Sequence, residues 1–158
     1  MTTIAYKDGI IAADTQITYD KSVRGKSSPK IVQLAKDLVF AGAGDTRAIS
    51  SAMRFFSIPN WEEKIDESPK FKQYFEALLW YKGKIYFCIG GCYPEPLCDD
   101  FYALGSGYKF ALAALHLGLS AEEAVKFAST LDIYTNNEIQ LFNVAQLQEK
   151  ATKPKRAR

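Results

Sequence analysis

The stretch Thr3-Ile4-Ala5-Tyr6-Lys7-Asp8-Gly9-Ile10-Ile11-Ala12-Ala13-Asp14 decides the fold. Two apolar runs flank Asp8-Gly9, and both turn residues tolerate positive φ, so the segment predicts a β-hairpin. A second pair of runs follows, Ile31-Val32-Gln33-Leu34 and Leu38-Val39-Phe40-Ala41, with a turn at Lys36-Asp37. A third pair, 77–81 and 85–89, surrounds Lys82-Gly83-Lys84. Strands that arrive as hairpins rather than as βαβ units predict antiparallel sheets and an α+β class.

Helices fall between these pairs. Gly42 and Gly44 end a strand, and Asp45 is placed to cap a helix over Thr46–Phe56 with Ala48, Ile49, Ala52, Met53 and Phe56 on one face. Ile58-Pro59 stops it. Residues 61–72 read as a charged loop with a short helical turn, and 92–100 as loop. After Gly105-Ser106-Gly107, the run Phe110, Ala111, Ala114, Leu115 reads as a helix ending near Gly118. Ser120-Ala121-Glu122-Glu123 is a capping box ahead of Ala124, Val125, Ala128 and Leu131. Residues 139–144 form the last expected strand.

The 158 residues suit one domain, expected over 1–148, and a 47% apolar content is enough for a packed core. A net charge of +2 gives no argument for nucleic acid. Basic residues gather in 149–158 (Lys150, Lys153, Lys155, Arg156, Arg158), which read as a solvated, flexible tail. No run approaches the ~18 apolar residues of a membrane span, and residues 1–7 lack the apolar run of a signal peptide. The expected location is cytoplasmic. The odd count of cysteines, Cys88, Cys92 and Cys98, suits that compartment. With no fourth ligand in sight, neither zinc nor any other metal or cofactor is expected.

The single histidine, His116, lies in a helical run of core residues, so a Ser-His-Asp or Cys-His site is not expected. An acyl-transfer enzyme without histidine needs another base near neutral pH. A free α-amino group, with a reference pKa of ~7.7–8.0, is one. An N-terminal threonine supplies hydroxyl and amine on one residue. Removal of Met1 gives Thr2 that state; with Met1 retained, the nitrogen is an amide and cannot serve.

Several ordered motifs now carry a resemblance. Thr2-Thr3-Ile4 stands at the start. Ala12-Ala13-Asp14-Thr15-Gln16-Ile17-Thr18 contains a D-x-Q-x-T pattern, and Lys30 follows Asp14 by 16 residues. Phe40-Ala41-Gly42, Leu104-Gly105-Ser106-Gly107 and Asp132-Ile133-Tyr134-Thr135-Asn136 complete the set. In this order the chain resembles proteasome β-type subunits, and more closely the HslV-type peptidases, over roughly residues 2–145. These are N-terminal-nucleophile (Ntn) hydrolases.

The resemblance implies a four-layer αββα sandwich, two antiparallel sheets face to face with helices outside. It implies a threonine endopeptidase acting on unfolded polypeptide, in a homo-oligomeric ring, with a possible AAA+ unfoldase partner. Thr2 takes the place of the nucleophile, Lys30 of the active-site lysine, and Asp14 of the acid that pairs with it. Ser106, Asp132 and Thr135 take the places of residues that hold the N-terminal amine and its water. The Gly42 N–H takes the oxyanion, and the Thr18 and Gly42 backbones pair with extended substrate. Val32 and Phe40 are expected to line an apolar pocket for the side chain before the cut.

Two departures stand out. The interval from Thr2 to Asp14 is shorter than the family's by an even number of residues, which keeps Asp14 on the same face of its strand. The family's second long helix is reduced to residues 70–78 or absent, which bears on ring formation. Two alternatives stay open: a non-catalytic subunit or assembly protein on this fold, and an amidase acting on a small amide.

Overall fold

The computed structural model describes residues 2–19, 22–25, 29–70 and 74–147. Met1 and the basic tail lie outside the described residues.

The first hairpin pairs β1 (Thr3–Lys7) with β2 (Ile10–Asp14), and Ile4 lies opposite Ala13. Asp8 and Gly9 at its tip both have positive φ, 50° and 74°. That hand of turn matches the right-handed twist of the strands. Next come β3 (Ile17–Tyr19), β4 (Ser22–Gly25), β5 (Ile31–Ala35) and β6 (Leu38–Gly44). Helix α1 is Thr46–Phe56, and a 3-10 helix covers Trp61–Glu67. The strands β7 (Phe75–Tyr81), β8 (Lys84–Ile89), β9 (Glu95–Pro96) and β10 (Phe101–Gly105) precede α2 (Tyr108–His116), α3 (Ala121–Ser129) and β11 (Ile139–Asn143).

Two sheets carry the architecture. One has the order β10-β1-β2-β11 and the other β5-β6-β7-β8-β9, with every pairing antiparallel. Three separate cores show that these sheets make four layers. Ile4, Ile11, Val39, Leu78 and Leu104 fill the space between the two sheets. Phe40, Phe56, Trp61 and Leu79 lie between α1 and the second sheet. Small residues, Ala5, Ala12, Ala111, Ala124 and Ala128, let α2 and α3 sit close on the first sheet. The alternation along β1 and β2 is responsible: even and odd positions face different cores. A buried leucine such as Leu78 contributes about 1.5–3 kcal/mol.

The caps form as their side chains suggest. Asp45 accepts from the Arg47 and Ala48 N–H groups, and Ser120 and Glu123 complete a capping box. Two expectations change. The strand expected over 77–81 starts at Phe75 as β7, so 75–78 is not part of a shortened helix; Phe75, Ala77, Leu78 and Leu79 are all buried between neighbouring strands and helices. Phe101–Gly105, not anticipated as a strand, is β10, held by its pairing to β1 about a hundred residues earlier. No described helix is long and apolar enough to cross a membrane.

Candidate active site

Thr2 sits just before β1, and its own strand register places it. Thr3 faces Gly105 on one side, and Asp14 ends β2 on the other. The Thr2 carbonyl accepts the Ser106 N–H at 2.8 Å. Gly105 has φ +94°, and a Cβ there would fall 1.8 Å from the Thr2 carbonyl oxygen. Only glycine permits that approach.

Asp14 is fully buried and its carboxylate organises the start of the chain. Oδ1 accepts from the Thr2 hydroxyl at 2.7 Å and from the Thr3 N–H at 2.8 Å. Oδ2 accepts from the Gln16 N–H at 2.9 Å. Asp14 and Lys30 were expected to pair directly. Among the described residues they make no ion pair, because the carboxylate is satisfied by these donors. Lys30 is half-buried, and burial pulls its ammonium below the ordinary lysine value while the Asp14 charge opposes that shift. Its backbone is fixed by Gln140, whose Oε1 accepts from the Lys30 and Ile31 N–H groups at 2.8 and 3.0 Å.

Ser106, Asp132 and Thr135 come together, 26 and 29 residues apart in sequence. Asp132 Oδ2 accepts from the Ser106 and Thr135 hydroxyls, each at 2.6 Å. The Thr135 proton is thereby committed, so the Thr3 hydroxyl donates to Thr135 Oγ1 at 2.6 Å and accepts from the Gly107 N–H at 3.0 Å. The network grips the Thr2-Thr3 backbone. Thr3 and Gln140 were not foreseen as site residues, since a polar residue in a strand reads as solvent-facing until its partner is known.

Thr2 opens into a cleft of about 300 Å³ with Ile17, Thr18, Lys30, Gly44, Ile49 and Met53 among its walls. The strand β3 flanks one side and the end of β6 the other. Three expected positions are corrected here. The Gly42 N–H is not available to an oxyanion, because it donates to the Lys30 carbonyl at 3.2 Å. Asp45 N–H donates to the Tyr74 carbonyl at 3.0 Å, so Gly44 and Phe75 form a non-hydrogen-bonded pair. By that parity the Gly44 N–H, like that of Gly42, lies on the β5 side of β6 rather than in its ladder with β7. Phe40 does not line the cleft: it is 1% exposed and packs on Phe56 beneath α1. Val32, on β5, is not among the cleft residues either. The apolar wall comes from Ile49 and Met53, which α1 presents beside its buried face.

The three cysteines are free. Burial pushes the Cys88 and Cys92 thiols up to about 12. Among the described residues no group of His, Cys, Asp and Glu is arranged to hold a metal ion.

Two facing antiparallel sheets with helices outside, opening at one edge onto the first residues of the chain, define the Ntn-hydrolase fold. In fold and in sequence the chain resembles proteasome β-type and HslV-type subunits. It is 27% identical over 168 aligned positions to proteasome subunit beta 1 of Pyrococcus abyssi, with 85% of each chain covered. It is 26% identical to proteasome subunit beta 1 of Pyrococcus furiosus, again with 85% of each covered. Among solved structures, HslV of Trypanosoma brucei superposes with a TM-score of 0.69 at 20% identity, covering 89% of this chain and 97% of that one. BPH of Thiobacillus denitrificans, solved in complex with epoxomicin, gives 0.68 at 20% identity, covering 89% and 96%. No protein-family model matches the chain.

Proposed function

We propose that this chain is a threonine-type peptidase that cuts unfolded polypeptide with Thr2 as nucleophile, after Met1 has been removed. The observation that carries the reading is the position of Thr2: its hydroxyl is held by buried Asp14, and it lines a cleft that also contains Lys30 and Gly44.

The chemistry follows from these groups. Substrate lies extended between β3 and the end of β6, as an added strand. Thr2 Oγ attacks the peptide carbonyl carbon, and its proton passes to the freed α-amine, directly or through one water. Asp14 orients the hydroxyl through the bond from Thr2 Oγ1 to its Oδ1. The Lys30 ammonium favours the uncharged amine and the developing alkoxide. The carbonyl oxygen, now negative, takes the Gly44 N–H. Collapse breaks the C–N bond, and the Thr2 α-ammonium gives its proton to the leaving nitrogen. Water then hydrolyses the Thr2 ester. Ser106, Asp132 and Thr135 keep the Thr2-Thr3 backbone in register throughout.

A self-associated ring in the cytoplasm, fed by an AAA+ unfoldase, completes the proposal. Two observations support association: the curated relatives are named as subunits, and Leu117 and Ile133 are 79% and 78% exposed. A strict monomer by native mass spectrometry at micromolar concentration removes the ring. For the activity itself, Thr2→Ala is expected to abolish cleavage of fluorogenic peptides while keeping the circular-dichroism spectrum. Undiminished turnover by that variant removes Thr2 as nucleophile.

A further inference from the structure

Thr2 lines two clefts. The chemistry above uses one of them. The other, about 520 Å³, shares Thr2, Ala43 and Gly44 with the first and extends past Gly105 and Ser106, where Tyr74, Tyr102, Tyr108 and Glu76 build its walls. Glu76 is the only carboxylic or basic side chain among its described lining residues. It is half-buried yet makes no ion pair among the described residues. Two contacts fix it: Oε1 accepts the Gly105 N–H at 2.7 Å, and Oε2 accepts the Tyr74 hydroxyl at 3.3 Å.

The aromatic walls are also set. Tyr102 stacks on Phe87 with ring centroids 5.8 Å apart. Burial first, and then the Glu76 charge, hold the Tyr74 and Tyr102 phenols above their ordinary value, so the carboxylate's field reaches both rings. Asp99 adds a second negative contribution at Tyr102. Lys109 lies 5.9 Å from the Tyr108 centroid, which leaves Tyr74 and Tyr102 as the rings for an incoming group.

Tyrosine faces attract cations through their quadrupole, and an uncompensated carboxylate beside them adds to that attraction. A polypeptide whose acyl half runs over Gly44 to Thr2 continues, past Thr2, into this cleft. We infer that the tyrosine-walled cleft is a subsite for a cationic side chain, lysine or arginine, on the leaving-group side of the cut bond. The inference rests on the peptidase reading. It adds a preference that Asp14 and Lys30 cannot supply, since neither lines that cleft.

Internally quenched peptides that differ only in lysine, norleucine or glutamate at the two positions after the cut test it. Wild type is expected to prefer lysine over norleucine by about tenfold in kcat/KM, with glutamate poorest. In Glu76→Gln, which keeps the acceptor for Gly105, the lysine-to-norleucine ratio is expected to fall close to one. If that variant fails to fold, Tyr74→Leu, at a residue 58% exposed, is expected to lower the ratio by about threefold. Equal cutting of all three peptides by wild type overturns the subsite and leaves the peptidase reading intact. If no peptide is cut, the peptidase reading fails, and fluorescence anisotropy with dye-labelled lysine and norleucine tetrapeptides tests the cleft alone. Tighter binding of the lysine probe, lost in Glu76→Gln, supports it; equal affinities overturn it.

Discussion

The Thr2 hydroxyl donates to Asp14 Oδ1 at 2.7 Å, and the neighbouring Thr3 N–H donates to the same oxygen at 2.8 Å. One buried carboxylate therefore sets both the rotamer of the proposed nucleophile and the backbone behind it. Asp14→Asn removes the charge and keeps one acceptor. It should lower stability by about 1–3 kcal/mol, the cost of an imperfectly satisfied buried group, and kcat by about 100-fold. Urea unfolding and peptide turnover measure the two effects. A variant with wild-type kcat shows that Asp14 does not orient Thr2.

Lys30 supplies a pH dependence whose sign can be worked out. Burial, opposed by Asp14, lowers its folded value below the ordinary 10.5. Between the lowered value and 10.5 the unfolded chain binds more protons, so this residue's contribution to stability rises with pH across that window. Activity moves the other way, because the ammonium is the useful form. The alkaline limb of kcat/KM should fall below pH 10.5. Wild type should also gain stability relative to Lys30→Met between that limb and pH 10.5. A limb at or above 10.5, with parallel stability curves, contradicts this account.

Lys30→Ala should cost several orders of magnitude in rate with little change in unfolding free energy. A loss of less than about tenfold, ~1.4 kcal/mol, is too small for a cation that stabilises the developing alkoxide.

Two glycines separate backbone strain from loss of the site. Gly105 and Gly118 have nearly the same φ, +94° and +93°, but a Cβ on Gly118 meets nothing within 4 Å. Both alanine variants should lose about 1–3 kcal/mol from the left-handed conformation. Only Gly105→Ala should also displace Thr2, because of its 1.8 Å overlap with the Thr2 carbonyl. Equal reactivity of Thr2 in the two variants, followed with a peptide electrophile, rules out that positioning role.

The thiols make an independent test. Cys88 and Cys92 are buried with values of about 12, whereas Cys98 is exposed. Iodoacetamide at pH 8 should add one carbamidomethyl group to the native protein, at Cys98, and three after denaturation.

The hairpins and caps were legible in the sequence because their causes are local. Asp8-Gly9 and Lys82-Gly83 adopt positive φ within two residues, and Asp45 and Ser120 cap helices that begin next to them. The strand Phe101–Gly105 was not legible, since only its partner β1 makes it a strand. The choice between Gly42 and Gly44 turns on ladder parity, which depends on where β5 ends and where Tyr74 bonds. Phe40 could not be assigned from its letter either: the face it takes on β6 puts it under α1, while Met53 and Ile49 reach the cleft from the helix edge. The motif residues Thr2, Asp14, Ser106, Asp132 and Thr135 were found through resemblance. Their partners Thr3 and Gln140 follow only from three-dimensional contact.

The most direct measurement is the intact mass of the protein before and after treatment with a peptide epoxyketone. The account predicts a chain lighter by one methionine that gains a single adduct, mapped by fragmentation to Thr2. A chain that retains Met1 and takes no adduct, or an adduct at any other residue, contradicts Thr2 as a competent nucleophile.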